Sequence, residues 1–102
     1  MSWVQIAAVE ELEVGQMKGL IVGYKKIAVY HLEDGFYATS DVCSHSGRLL
    51  SPGTLYGQTV TCPAHGGKFN VKTGKAKAFP CVEPIKTYPL EIRNSDIWLK
   101  VT

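Results

Sequence analysis

The sequence predicts a single all-β domain, a sandwich or small barrel, and three observations carry that reading. No stretch repeats apolar residues at a helical period over three turns; the longest candidate, AVEELEVGQM (Ala8 to Met17), is short and is cut off at Gly15. Runs rich in β-branched and aromatic residues recur at short intervals between turn signals. The length, 102 residues, suits one domain. A chain of this size buries roughly 60 to 65% of its unfolded surface, a modest core that a bound metal centre would help stabilise.

The runs come in order: WVQIAAV (Trp3 to Val9), GLIVG (Gly19 to Gly23), KIAVYHL (Lys26 to Leu32) and GFYAT (Gly35 to Thr39). After a long loop-like stretch come TVTC (Thr59 to Cys62), TYPLEIR (Thr87 to Arg93) and IWLKV (Ile97 to Val101). Glu33-Asp34-Gly35 reads as a hairpin turn, Asn94-Ser95-Asp96 joins the last two strands, and Thr73-Gly74 offers a third turn. Trp3, Trp98, Tyr88 and Phe36 fall in these runs and are expected in the core, whereas His31, beside a hairpin turn, reads as a strand-surface residue. No linker, repeat or domain boundary stands out.

Hydrophobic residues make up 45% and charged residues 20%, which excludes a disordered chain. The N-terminal segment MSWVQIAAVEELEV lacks a basic region and its apolar run stops at Glu10, so no signal peptide, no membrane span and a cytoplasmic location are expected. Three cysteines cannot all pair within one chain, which favours thiolate ligands over a disulfide framework. Residues 42–82 contain Arg48, Lys68, Lys72, Lys75 and Lys77 and no acid. With a net charge of only +2 and no accompanying motif, this basic stretch does not indicate nucleic acid.

Two pairs carry the chemistry. Cys43 and His45 are separated by one residue, Cys62 and His65 by two, and sixteen residues lie between His45 and Cys62. Each pair follows a β-rich run and has glycine close by, Gly47 in one case and Gly66-Gly67 in the other, so the ligands belong to two loops whose backbone can wrap a compact inorganic centre. Zinc favours such donors, but zinc modules usually take two cysteines from one loop and two histidines from another. One cysteine and one histidine per loop also suit a two-iron cluster with thiolates on one iron and imidazoles on the other.

The pattern Cys-x-His, sixteen residues, Cys-x₂-His resembles the binding motif of the Rieske [2Fe–2S] proteins. LSPGTLYGQTVTCPAHGGKFNVKTGKA resembles that family through and past the second loop, and Phe79-Pro80 resembles its third, proline-bearing loop. The resemblance implies a Rieske-like antiparallel β-sandwich or small barrel, with a base of residues 1–41 and 83–102 and a loop-built, cluster-binding part of residues 42–82. It implies one [2Fe–2S] cluster per chain, with Cys43 and Cys62 on one iron and His45 and His65 on the other, reducible iron, whose imidazoles lie at the exposed tip. Cys81 is then a fifth candidate with no place to fill, and reads as a small buried hydrophobe.

Replacing two thiolates by neutral imidazoles makes the cluster less negative and raises its potential, which runs from about −150 to +300 mV in the family. Respiratory members have an extra cysteine in each loop, joined as a disulfide, and a serine and a tyrosine that bond cluster sulfurs; at the matching positions here stand Arg48, Ala64, Gly67 and Phe69. A potential near the low end follows. Rieske oxygenases use a separate iron held by two histidines and a carboxylate, and only His31 remains here, so the chain is not expected to be an enzyme. It resembles instead the ferredoxin component of bacterial aromatic-ring-hydroxylating dioxygenases, which takes electrons from a flavin-containing NAD(P)H reductase and passes them singly to a terminal oxygenase. Many such carriers are acidic around the cluster, and this one is basic. Arg48 and Lys68, beside His45 and His65, are the expected docking residues. The alternatives are a donor to nitrite reductase or another monooxygenase, a cluster used for sensing, and a zinc-binding structural module.

Overall fold

The computed structural model describes residues 3–44, 47–64, 66–79 and 83–101. Its strands are β1 (Trp3–Ala8), β2 (Met17–Val22), β3 (Lys25–Leu32), β4 (Gly35–Ser40), β5 (Thr54–Tyr56), β6 (Thr59–Thr61), β7 (Lys68–Asn70), β8 (Ala76–Ala78), β9 (Thr87–Tyr88), β10 (Leu90–Arg93) and β11 (Asp96–Lys100). They form three antiparallel sheets, ordered β1-β11-β10, β2-β3-β4-β9 and β5-β6-β7-β8. The apolar stretch after β1 makes only a short 3₁₀ turn at Val9–Glu11. Among the described residues no helix is long and apolar enough to cross a membrane.

The centre of the architecture is β3, whose sequence KKIAVYHL has no polar alternation after its two lysines. Successive side chains of a strand point to opposite faces, so such a run must be covered on both. Ile27 and Val29 enter one buried cluster with Ala38, Tyr88, Ile97, Leu99 and Leu12, between the central and terminal sheets. Ala28, Tyr30 and Leu32 enter the other, with Leu50, Val60, Phe69, Val71, Ile85 and both Cys43 and Cys62, against the β5–β8 sheet. Cys43 and Cys62, two of the four prospective ligands, thus belong to a core layer that β3 helps to build.

The turns follow their chemistry. Two residues, Glu33-Asp34, join β3 to β4, and Asn94-Ser95 join β10 to β11 with φ of +52° and +66°, the left-handed pair that a tight hairpin requires. Lys72, in the turn after β7, pairs with Asp34 and lies over the Tyr37 ring, tying the β5–β8 sheet to the central one. Its ammonium holds the Asp34 carboxyl below the usual range.

Three expectations need correction. The run Thr87 to Arg93 is two strands, not one: Pro89 has no N–H to give to a ladder, and the chain changes sheets there, β9 pairing with β4 and β10 with β11. Trp3 and Trp98 belong to neither buried cluster. Ile97 and Leu99 take the inward positions of β11, leaving Trp98 outward, where it and Trp3 flank the Arg93 guanidinium at 5.1 and 5.2 Å. Tyr88 is buried and Phe36 packs against the core. His31 is half-buried rather than on the surface: its Nδ1 donates to Leu12 O at 2.7 Å, and its ring stacks on Phe36 with centroids 3.8 Å apart.

Candidate metal centre

Both cysteines open loops of the same construction. In the first, Cys43 N donates to Arg48 O (2.8 Å) and Gly47 N donates back to Cys43 O (2.9 Å); in the second, Cys62 N donates to Gly67 O (2.8 Å) and Gly66 N to Cys62 O (3.0 Å). Gly47 and Gly66 occupy equivalent places with φ of +74° and +77°, a conformation that costs a residue with a Cβ. The two arches are therefore the same size. Only the position of the histidine within each sequence differs, which accounts for the unequal spacing of the pairs.

Each arch is fastened at its base. The second grows from the β6–β7 hairpin, where Thr61 pairs with Lys68. The first leaves β4 at Asp41, which is 2% exposed. Asp41 Oδ1 accepts from Leu50 N (3.1 Å) and Ser51 N (2.7 Å), and Oδ2 accepts from Ser51 Oγ (2.7 Å). Val42 bridges to Leu49 beside this clamp. Gly19 of β2 lies against it, where a Cβ would run into Ser51 Oγ and Asp41 Oδ2. Ser44, next to Cys43, donates through Oγ to Glu83 O (2.7 Å), joining the first arch to the segment that follows the proline-bearing loop.

Cys43 and Cys62 are each 1% exposed and share one apolar cluster with Phe69, Leu50 and Val60. His45, His65, Pro80 and Cys81 lie outside the described residues. Of the other sequence positions singled out, Phe69 is fully buried, Arg48 and Ala64 are exposed on the arches, and Gly67 is buried. Near the cysteines, Tyr30 donates to Thr39 Oγ1 (2.9 Å), because that hydroxyl gives its own proton to Ser40 O. Burial raises the Tyr30 pKa, and the Asp41 charge adds to the rise. No motif marks Asp41 or Ser44, although Asp41 borders the acid-free stretch; Ser51 stands in the LSPGT run, where nothing marks it as an anchor of the first arch.

The donor chemistry fits an iron–sulfur centre: two thiol-bearing residues shielded in one core layer, each at the foot of a glycine arch closed by a pair of backbone hydrogen bonds. Fold and site together define an iron–sulfur domain of the Rieske class. Residues 2–89 match the family described as Rieske [2Fe-2S] domain, and the chain belongs to that family; its cofactor is a Rieske-type [2Fe–2S] cluster. It is 39% identical over 100 residues to the "Naphthalene 1,2-dioxygenase/salicylate 5-hydroxylase systems, ferredoxin component" of Ralstonia sp, covering 98% of this chain and 96% of the relative. The solved "Ferredoxin of carbazole 1,9a-dioxygenase from Nocardioides aromaticivorans IC177" superposes with a TM-score of 0.95 at 29% identity, covering 100% of both chains. A second structure, "Complex of reduced oxygenase and oxidized ferredoxin in carbazole 1,9a-dioxygenase", matches with a TM-score of 0.90 at 35% identity, covering 98% of this chain and 97% of that one.

Proposed function

We propose that this chain is the ferredoxin component of an aromatic-ring-hydroxylating dioxygenase system, accepting electrons from a flavin-containing NAD(P)H reductase and delivering them singly to a terminal oxygenase. The pair of matched arches, each with a buried cysteine at its foot, is the observation that carries the reading. Full-length likeness to ferredoxin components supports it. The cluster supplies reversible one-electron storage when bound. Cys43 and Cys62 hold one iron and His45 and His65 the other, with residues 42–82 as the cluster-bearing part and residues 1–41 and 83–102 as its base. The chain performs no ring hydroxylation itself. A chain of three cysteines, two of them thiolate ligands, suits the reducing cytoplasm.

The potential lies low in the family's range of about −150 to +300 mV, because hydrogen bonds to cluster sulfurs raise it and Phe69 has no hydroxyl to offer. Phe69→Tyr should therefore shift the midpoint upward in a redox titration, while the EPR line shape of the reduced protein stays of Rieske type; an unchanged or lower midpoint would remove this explanation. The functional assignment is tested by reducing the holoprotein with NADH and a ring-hydroxylating-system reductase, then mixing it with the oxygenase component. Single-electron reoxidation is expected. A colourless protein with no EPR signal after dithionite would end the reading.

A further inference from the structure

The β5–β8 sheet buries Val60 and Phe69 on its inner face and turns Tyr56, Thr59, Thr61 and Lys68 outward. On this outer face Lys68 Nζ donates to Thr61 Oγ1 (3.3 Å), and Lys77 Nζ, from the register shift of β8, donates to Thr59 Oγ1 (3.1 Å). Hydroxyl acceptors fix where an ammonium sits without cancelling its charge. The ion pairs among the described residues use Lys18, Lys72 and Arg93, not Lys68 or Lys77. No carboxylate stands between residues 42 and 82 to neutralise them. Beside these cations Tyr56 is 88% exposed, an aromatic of the kind enriched at interfaces. The face also abuts the site: Thr61 precedes Cys62, and Lys68 follows Gly67, whose carbonyl closes the second arch.

We propose that the outer face of β5–β8, centred on Lys68, Lys77 and Tyr56, is the docking surface for an acidic patch on a redox partner protein. The proposal rests on the electron-carrier reading above and adds the face and the partner's charge. Held cations next to the arch attract carboxylates and orient the partner over the cluster end, while the ring adds apolar contact at the centre. Two lysines among threonines, on a chain of net charge +2, suit a small acidic protein patch better than a phosphate backbone.

The test uses the dithionite-reduced holoprotein and two inorganic oxidants of opposite charge, each taking one electron: ferricyanide, reduced to ferrocyanide, and tris(phenanthroline)cobalt(III), reduced to cobalt(II). In stopped flow the wild type should react faster with ferricyanide at low salt than at high salt, with the opposite trend for the cobalt complex. K68E/K77E should lose about tenfold of the low-salt ferricyanide rate, the lower end of electrostatic steering, and converge with wild type at high salt. Polyglutamate should slow the wild-type ferricyanide reaction and leave the variant unaffected. K68Q/K77Q, which removes charge without adding any, should give an intermediate loss and serves if the double glutamate fails to fold. Unchanged rates and unchanged polyglutamate sensitivity in a variant with an intact Rieske EPR signal overturn the docking surface alone, whereas absence of that signal from the wild type ends the carrier reading and the docking surface with it. Retardation by duplex DNA at physiological salt would overturn the assignment to a protein partner.

Discussion

At the residue scale, the least visible contributor to the metal centre is Asp41. Its two oxygens hold Leu50 and Ser51, the exit of the first arch, to the entrance at its own backbone. Asp41→Ala removes the charged acceptor of Ser51 N and Oγ, both part-buried, and should cost about 1 to 3 kcal/mol, the loss of hydrogen bonds to a charged group. Asp41→Asn keeps one acceptor oxygen and should recover part of that. Denaturant unfolding gives the stability, and iron retention under a chelator reports whether the arch still closes; equal behaviour of the two variants would show that acceptor geometry is not what matters. Tyr30 gives a pH dependence of definite sign. Burial raises its pKa above that of an unfolded tyrosine, so its contribution is fully present below about pH 10 and is lost as pH rises further, with a slope of about 1.4 kcal/mol per pH unit. Tyr30→Phe should flatten that alkaline slope in denaturation curves taken from neutral pH upward. The proposed ligands Cys43, His45, Cys62 and His65 are legible in the sequence because ligands of one centre keep fixed spacing within each loop. Asp41 and Tyr30 are not, since their partners lie nine or ten residues away and are set by sheet register.

At the element scale, the unit that matters is the glycine arch, and the structure uses it twice. Among the described residues nothing lies within 4 Å of where a Cβ would sit on Gly47 or Gly66, so replacing either by alanine should cost chiefly the left-handed backbone, about 1 to 2 kcal/mol. Because the arches match, Gly47→Ala and Gly66→Ala should lower thermal stability by similar amounts and each hasten iron loss. A large effect at one and none at the other would mean that the shared hydrogen-bond pattern does not carry equal strain. The longer strands could be read from composition, β3 most clearly, since an unbroken apolar run bounded by turns leaves little else to form. β5, β7 and β8 could not: each has three residues, too few to show a pattern, and in β7 and β8 lysine, asparagine and alanine disfavour strands until a neighbouring ladder fixes them. The aromatic placement failed for a related reason. Which face of β11 is inward depends on which sheet it packs against, and that decides the fate of Trp98.

At the scale of the whole molecule, three sheets stack about two apolar layers and share one strand between them. β3 gives Ile27 and Val29 to the layer beneath the terminal sheet, and Ala28, Tyr30 and Leu32 to the layer that contains Cys43 and Cys62. Global stability and the environment of the metal centre are therefore separable by layer. Ile27→Ala should cost about 2 to 5 kcal/mol and Phe69→Ala about 3 to 5 kcal/mol, both large fractions of what a small domain has. Their consequences for the site should differ. Ile27 faces away from the cysteines, so its truncation should lower the denaturation midpoint while leaving the visible absorption, EPR signal and potential of the folded protein near wild type. Phe69 packs in the cysteines' own layer, so its loss should loosen both arches, shift the potential and speed iron release at the same overall destabilisation. Comparing the pair at matched stability, by choosing the temperature of the chelator assay for each, separates the two effects. If iron release followed stability alone for both variants, the layered division would have no functional meaning, and the centre would depend on the fold only as a whole.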